Sequence, residues 1–294
     1  MAAMFIHPNL REARPLMVVG GPRCGTRFVA NALNRNPTVF VQGEIPPEAM
    51  DNAVRFLCET TDYFASVPEW AASWQHSRRA LLYALWRSMV KGKPGAIRTP
   101  ITWFGHKTPR HDRYWEFYRD FFGEVGPKYV FCMRNFVDHY LSMNSMNEVY
   151  TLDLVARKYR VSVARYAEMK AALGDDVSIF LLDDLRVGGV DYVRETLFER
   201  LGIEVDDRML ARIDSSRRAN STEGAGRSRR KELTAAERVF LDRNEDLLEA
   251  LQALRAARPL ARPVDSTGRW KRWLSQPHGG ARRWLGWTST WSRP

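Results

Sequence analysis

The sequence predicts an α/β fold in which a central parallel sheet is flanked by helices on both faces. Three observations carry that prediction. A short apolar run, Met17-Val18-Val19, stops at a glycine-rich turn and passes into an apolar helical segment at Phe28-Val29-Ala30-Asn31-Ala32-Leu33. Further short apolar runs then alternate with long helical stretches, the pattern of parallel strands joined by crossover helices. The polar residues Arg23, Glu44, Lys107 and Arg134 each follow one of those runs, and in such sheets ligands gather at the carboxyl ends of strands.

The first turn is the most informative element. Residues 17–27 read Met-Val-Val-Gly-Gly-Pro-Arg-Cys-Gly-Thr-Arg. A strand feeding a tight turn and then a helix aims several backbone N–H groups and a helix N-terminus at one spot, which suits a phosphate. Gly20, four intervening residues and Gly25 nearly match a P-loop, but Thr26-Arg27 stands where a nucleotide triphosphatase has Lys followed by Ser or Thr. The lysine that bridges outer phosphates and the hydroxyl that binds magnesium are both lost, while Arg23 and Arg27 supply positive charge. The turn therefore suits a phosphate held without a metal, and the fold reads as a P-loop-like three-layer sandwich.

The remaining elements follow in order. Residues 38–42 read as a second strand leading into Gly43-Glu44-Ile45-Pro46-Pro47. Residues 50–92 read as helical, with Trp70, Trp74, Leu81, Leu82, Leu85 and Trp86 at helical spacing and expected in the core. Residues 99–110 hold a strand and its following loop, and 111–122 an aromatic-rich helix. Residues 128–134 form a buried strand ending at Arg134, then a turn at Asn135 and a helix entered near Asp138. Helical segments continue to 173, and 177–182 is the last strand. Asp183-Asp184 after it invites comparison with a nucleotidase carboxylate but is read as structural. A cationic, glycine-containing loop spans 217–231, and a helix starts near Thr234.

Composition narrows the function classes. A chain of 294 residues with 45% hydrophobic residues supports one full core, and the economical division is one domain over 1–260 with a basic tail over 261–294. Residues 1–16 are interrupted by His7, Pro8, Arg11, Glu12, Arg14 and Pro15, unlike a signal peptide. No segment approaches the roughly 20 apolar residues that span a bilayer. Cys24, Cys58 and Cys132 offer neither a disulfide framework nor metal-ligand spacing, so a cytoplasmic location and no metal are expected. The net charge is +11, yet residues 257–294 hold eight Arg or Lys against one Asp, which places +7 of it in the tail. With a mildly basic body and no nucleic-acid-binding motif, nucleic acid is not expected as a partner. Five of the ten tryptophans lie in 269–291 among arginines, a composition that fits peripheral contact with the inner face of a membrane or packing against the body or another subunit.

Pro22-Arg23-Cys24-Gly25-Thr26-Arg27 resembles the loop that binds the 5′-phosphosulfate of PAPS (3′-phosphoadenosine 5′-phosphosulfate) in bacterial and carbohydrate-type sulfotransferases, where the usual pattern is Pro, Arg or Lys, Ser, Gly, Thr, Thr. Cys24 and Arg27 depart from that pattern. The resemblance continues in order over about residues 15–245. Arg134 and Ser142, eight apart, resemble the pair that grips the 3′-phosphate, although Asn135-Phe136 replaces the family's Asn-Pro. Leu201-Gly202 matches a pair that follows the last strand. The late basic loop resembles the one that completes the 3′-phosphate site, with Arg227, Arg229 and Arg230 as candidates.

The resemblance implies an enzyme that moves a sulfuryl group from PAPS as co-substrate to a hydroxyl, with Arg23, Cys24, Gly25, Thr26, Arg27, Arg134, Ser142, Arg227 and Arg229 binding the donor. It implies Lys107 at the bridging oxygen and Glu44, in a Gly-Glu pair after the second strand, as the base toward a sugar or glycolipid acceptor. His106 is the rival base, as in members acting on phenols and steroids. A P-loop-like small-molecule kinase and a non-catalytic nucleotide-binding protein at a membrane surface are the alternatives.

Overall fold

A computed structural model describes residues 7–91, 95–213, 230, 232–258 and 260. Strands β1 (Arg14–Gly20), β2 (Val39–Gln42), β3 (Trp103–Lys107), β4 (Lys128–Met133) and β5 (Val177–Leu181) form one five-stranded sheet in the order β2-β3-β1-β4-β5. Every neighbouring pair is parallel. Leu16, Met17, Val18 and Val19 of β1 and Tyr129 to Met133 of β4 are all buried. Successive strand residues point to opposite faces, so unbroken burial means that both faces are covered. The P-loop-like α/β sandwich expected from the sequence is the observed fold.

From central β1 the chain runs through α1 (Thr26–Leu33) to edge strand β2, returns to β3, and then crosses β1 to reach β4. The loops that leave β1 and β4 thus lie side by side where the strand order switches, the usual crevice for a ligand in an open sheet. The sheet is close-packed at this point. Gly20 has φ +107°, and a Cβ there would lie 2.3 Å from the Cys132 carbonyl oxygen, so only glycine lets β1 end against β4 in this way.

Helices α2 (Pro47–Ala65) and α3 (Pro68–Met89) join β2 to β3 and pack against one another. Each starts on a proline, which lacks the N–H that a first turn leaves unused. The aromatic stripe divides between core and surface. Trp74, Leu82 and Trp86 are buried, whereas Trp70 is 44% exposed and sets its ring against Tyr63 and Phe64 near the α2–α3 junction. The expectation of a core position for Trp70 is corrected accordingly.

After β3 comes α4 (Trp115–Phe122), and after β4 come α5 (Phe136–Asn144) and α6 (Leu152–Leu173). Helix α5 begins two residues before the expected entry at Asp138, because Asn135 is its cap and accepts from the Asp138 amide at 2.8 Å. Beyond β5 lie α7 (Leu182–Val193), α8 (Asp207–Ala211), α9 (Ala235–Asp242) and α10 (Ala250–Arg255). Thr234 and Glu237 form a capping box at the start of α9. Buried Arg160 of α6 donates to Asp246 at 2.7 Å and to Asn244 at 2.9 Å, fixing the C-terminal helices to the body. Among the described residues no helix is long and apolar enough to cross a membrane. Arg227, Arg229 and the tail over 261–294 lie outside the described residues.

Candidate active site

The loop between β1 and α1 is shaped by left-handed residues. Arg23 has φ 63° and Gly25 has φ 92°. Such turns direct successive amides into one concavity, and Gly25 leads straight into Thr26, the buried first residue of α1. A non-glycine residue in this region carries strain of roughly 1 kcal/mol or more, so Arg23 is held by its surroundings. Its Nε–H donates to Ser142 Oγ at 3.2 Å. Arg27 lies on the exposed side of α1. Cys24 turns the other way. Its thiol is buried 3.0 Å from His139 Nδ1, and burial pushes it up to about 12. The expected donor-binding role of Cys24 is therefore limited to its backbone, since the side chain belongs to the core.

The loop after β4 meets this concavity from the other side of the switch. Arg134 is 4% exposed and donates through Nη2 to Asp138 Oδ2 at 2.5 Å. Burial opposes ionisation of Asp138, but Arg134, its hydrogen bond, the Asn135 contact and Arg186 together hold the carboxyl below its ordinary range. Arg134 Nε is buried and has no hydrogen-bond partner among the described residues. Burial first, and the charge of Arg134 second, lower the Arg23 guanidinium from its usual value. Arg23, bonded to Ser142, therefore lies near enough to Arg134 for the two guanidinium charges to act on each other. Asp183 stays structural, as expected, accepting from the Asn135 amide at 2.6 Å and from its side-chain amide.

The ends of β2 and β3 supply a third cluster. Lys107 Nζ donates to Glu44 Oε1 at 2.5 Å, with side chains 12% and 40% exposed respectively. The preceding residue, His106, points to the opposite face of β3 and is fully buried. Its ring nitrogens meet Thr108 Oγ1 at 3.0 Å and Tyr118 OH at 3.3 Å, and Trp86 packs edge-to-face on the ring at 4.9 Å. Burial drives its pKa down to about 3. A proton acceptor enclosed in this way cannot reach a substrate, so the expectation of His106 as a rival base is corrected. The loop after β3 is tied to its neighbours. Thr108 Oγ1 accepts from the Ile45 amide at 3.1 Å, the Thr108 amide donates to Val18 O, and the Arg110 amide donates to Gly20 O at 2.9 Å.

Of the late basic loop, Arg230 is described. It makes two 2.7 Å hydrogen bonds to Glu237 and lies over the Tyr140 ring on α5, which anchors the end of that loop beside the helix bearing Ser142. The sequence reading missed Asp138 and His139. Asp138 alone had a local signal, because a carboxylate four residues beyond an arginine at a helix start can pair with it.

No protein-family model and no curated protein matches the sequence. Among solved structures, the sulfotransferase STF9 from Mycobacterium avium aligns with 83% of this chain and 80% of its own, at 14% identity and a TM-score of 0.43. The sulfotransferase domain of the Synechococcus PCC 7002 olefin synthase aligns with 83% of this chain and 94% of its own, at 12% identity and a TM-score of 0.46. Mouse sulfotransferase SULT7A1, solved as a complex with PAP, aligns over 84% and 87%, at 14% identity and a TM-score of 0.44.

Proposed function

We propose that the protein transfers a sulfuryl group from PAPS to a hydroxyl of an acceptor, and that the acceptor is a carbohydrate or glycolipid. The observation that carries this reading is the contact of Arg23 with Ser142, 119 residues apart. It brings the loop that resembles a phosphosulfate cradle against the helix that carries Ser142, the partner of Arg134 in the resemblance to a 3′-phosphate cradle, which supports one donor reaching both. Two further features fit a donor with phosphates at both ends. Arg134 Nε is a buried donor without a protein acceptor among the described residues, and the first loop brings its amides and the α1 N-terminus to the same place.

The chemistry follows from the placement of charge. Sulfuryl transfer passes through a loose, in-line transition state, so the protein contributes chiefly position and electrostatic stabilisation. The acceptor oxygen bonds to sulfur while the bond from sulfur to the 5′-phosphate oxygen breaks. Arg23 and the amides of Gly25 and Thr26 neutralise the charge that builds on the departing phosphate. Lys107 serves the bridging oxygen, and Glu44 takes the acceptor hydroxyl's proton. Their 2.5 Å ion pair sets both groups at one point: as Lys107 turns to the bridging oxygen, the carboxylate is released to the hydroxyl. The enclosure of His106 in the core supports the choice of Glu44 as the base.

The test compares thermal stabilisation by adenosine 3′,5′-bisphosphate (PAP) with that by ATP plus magnesium. A ligand at 100 times its Kd stabilises by about 2.7 kcal/mol, and a shift with PAP alone is expected. A preference for ATP favours a kinase, and no shift with either favours a non-catalytic role. Labelled-sulfate transfer to a panel of sugars and glycolipids then tests the acceptor class.

A further inference from the structure

Where α2 turns into α3, a set of aromatic rings stands out from the body. Tyr63 is 60% exposed, and Phe56, two turns earlier on the same side of α2, is 50% exposed. Trp70, on the first turn of α3, meets Tyr63 with 5.8 Å between ring centroids. The platform beneath them is fixed. Phe64 stacks on buried Trp74 at 5.1 Å, and Trp74 Nε1 donates to Thr61 Oγ1 at 3.0 Å. Single apolar residues are ordinary on a surface, but clustered exposed rings mark a contact surface.

The charge of this face is opposite to that of the whole chain. Residues 48–77 hold five Asp or Glu against the single Arg55, a net −4 in a protein of +11. Glu59, Asp62 and Glu69 are exposed around the rings. Burial first, then the charges of Asp62 and Glu59, push the Cys58 thiol up to about 11. The next cations along α3 turn elsewhere, Arg78 to the Phe121 ring and Arg79 to the Arg11 carbonyl. An acidic, aromatic surface repels anionic lipid and suits a segment that carries both cations and indoles.

This chain contains such a segment. Residues 261–294 hold seven Arg or Lys against one Asp, with Trp270, Trp273, Trp284, Trp287 and Trp291 among them. Leu260 is the last described residue. The chain beyond it is long enough to span about 110 Å when extended, against a diameter of roughly 50 Å for a body of this size. Any part of the surface is within its reach.

We propose that the tail over 261–294 docks on the aromatic face of its own chain at Phe56, Tyr63 and Trp70. Its cations pair with Glu59, Asp62 and Glu69, and its indoles lie against the exposed rings. The inference is independent of the transferase reading.

Limited trypsin digestion of the full chain, read by mass spectrometry at the tail's Arg and Lys residues, tests it. At low salt the wild-type tail is expected to be cut about tenfold or more slowly than that of E59Q/D62N/E69Q, which removes the charges without adding a cleavage site. The difference should shrink at about 0.5 M salt, where such pairs are screened. W70S, with all three carboxylates intact, is expected to lose the protection as well. All four substitutions replace exposed side chains, and an unchanged thermal midpoint confirms that each variant is folded. Undiminished protection of the tail in either folded variant overturns the proposal. So does protection that disappears on dilution, which would give the tail to a second copy, and so does protection that requires phosphatidylglycerol vesicles, which would give it to a membrane.

Discussion

Arg23 donates its Nε–H to Ser142 Oγ at 3.2 Å, joining the loop after β1 to the helix after β4. Each residue therefore helps to hold the other in place before a ligand arrives. R23M is expected to weaken PAP binding by about 10- to 100-fold, the worth of one charge-assisted contact of roughly 1.5–3 kcal/mol. S142A should cost about tenfold or less, and the double variant should lose less than the sum of the two. Calorimetric titration of all four proteins checks this coupling, and strict additivity would mean that the two residues act apart.

Glu44 and Lys107 share a 2.5 Å ion pair, so their substitutions separate chemistry from donor binding. E44Q keeps the shape and a hydrogen-bonding group but cannot take a proton. Its turnover is expected to fall by about 10²–10⁴, the range of a lost general base, with PAP affinity within about twofold of wild type. Single-turnover transfer of labelled sulfate measures the first quantity, and retained turnover would move the proton elsewhere.

His106 and His139 are both buried and both pushed down to about 3, by burial first. In the unfolded chain they return to the ordinary value of 6.5. Between pH 6.5 and 3 the unfolded state binds the extra protons, so this part of the stability is complete above 6.5 and is lost as the pH falls. At pH 5 each histidine is expected to cost on the order of 1–2 kcal/mol relative to pH 7.5. Urea unfolding of H106Q should show a shallower loss than wild type, while the pH profile of its turnover stays in place. A displaced turnover profile would return His106 to the chemistry.

Replacing Gly20 by alanine tests the junction on which the crevice is built. The new Cβ would fall 2.3 Å from the Cys132 carbonyl oxygen at φ +107°. Strain and displacement together should destabilise the protein on the order of 3 kcal/mol. A lower urea midpoint with an unchanged slope is the expected result.

Most of the sheet was legible because its strands are short apolar runs bounded by turn residues, and burial on both faces leaves no polar alternation to confuse them. The first loop was legible because Gly20 and Gly25 stand where the backbone must turn left-handed. Strand parity alone places His106 and Lys107 on opposite faces, but only the packing of Trp86 and Tyr118 decides which of them is enclosed. Trp70 was misplaced for a related reason, since helical spacing marks a stripe without saying where the core beneath it ends.

Lys158 on α6 carries a measurable proton signature. Its folded-state value of about 6, set by burial, then Arg110 and then Arg157, lies far below the ordinary 10.5. From pH 6 to 10.5 the unfolded chain holds the additional proton, so stability attributable to Lys158 rises with pH across that window, and K158M should remove the slope. The facing groups leave the sign intact over the neutral range: Arg110 is depressed only to about 10, and His139 is neutral well below pH 6. Urea unfolding of wild type and K158M at pH 6.5, 7.5 and 8.5 measures that slope. A slope undiminished in K158M would assign the titrating group to another residue.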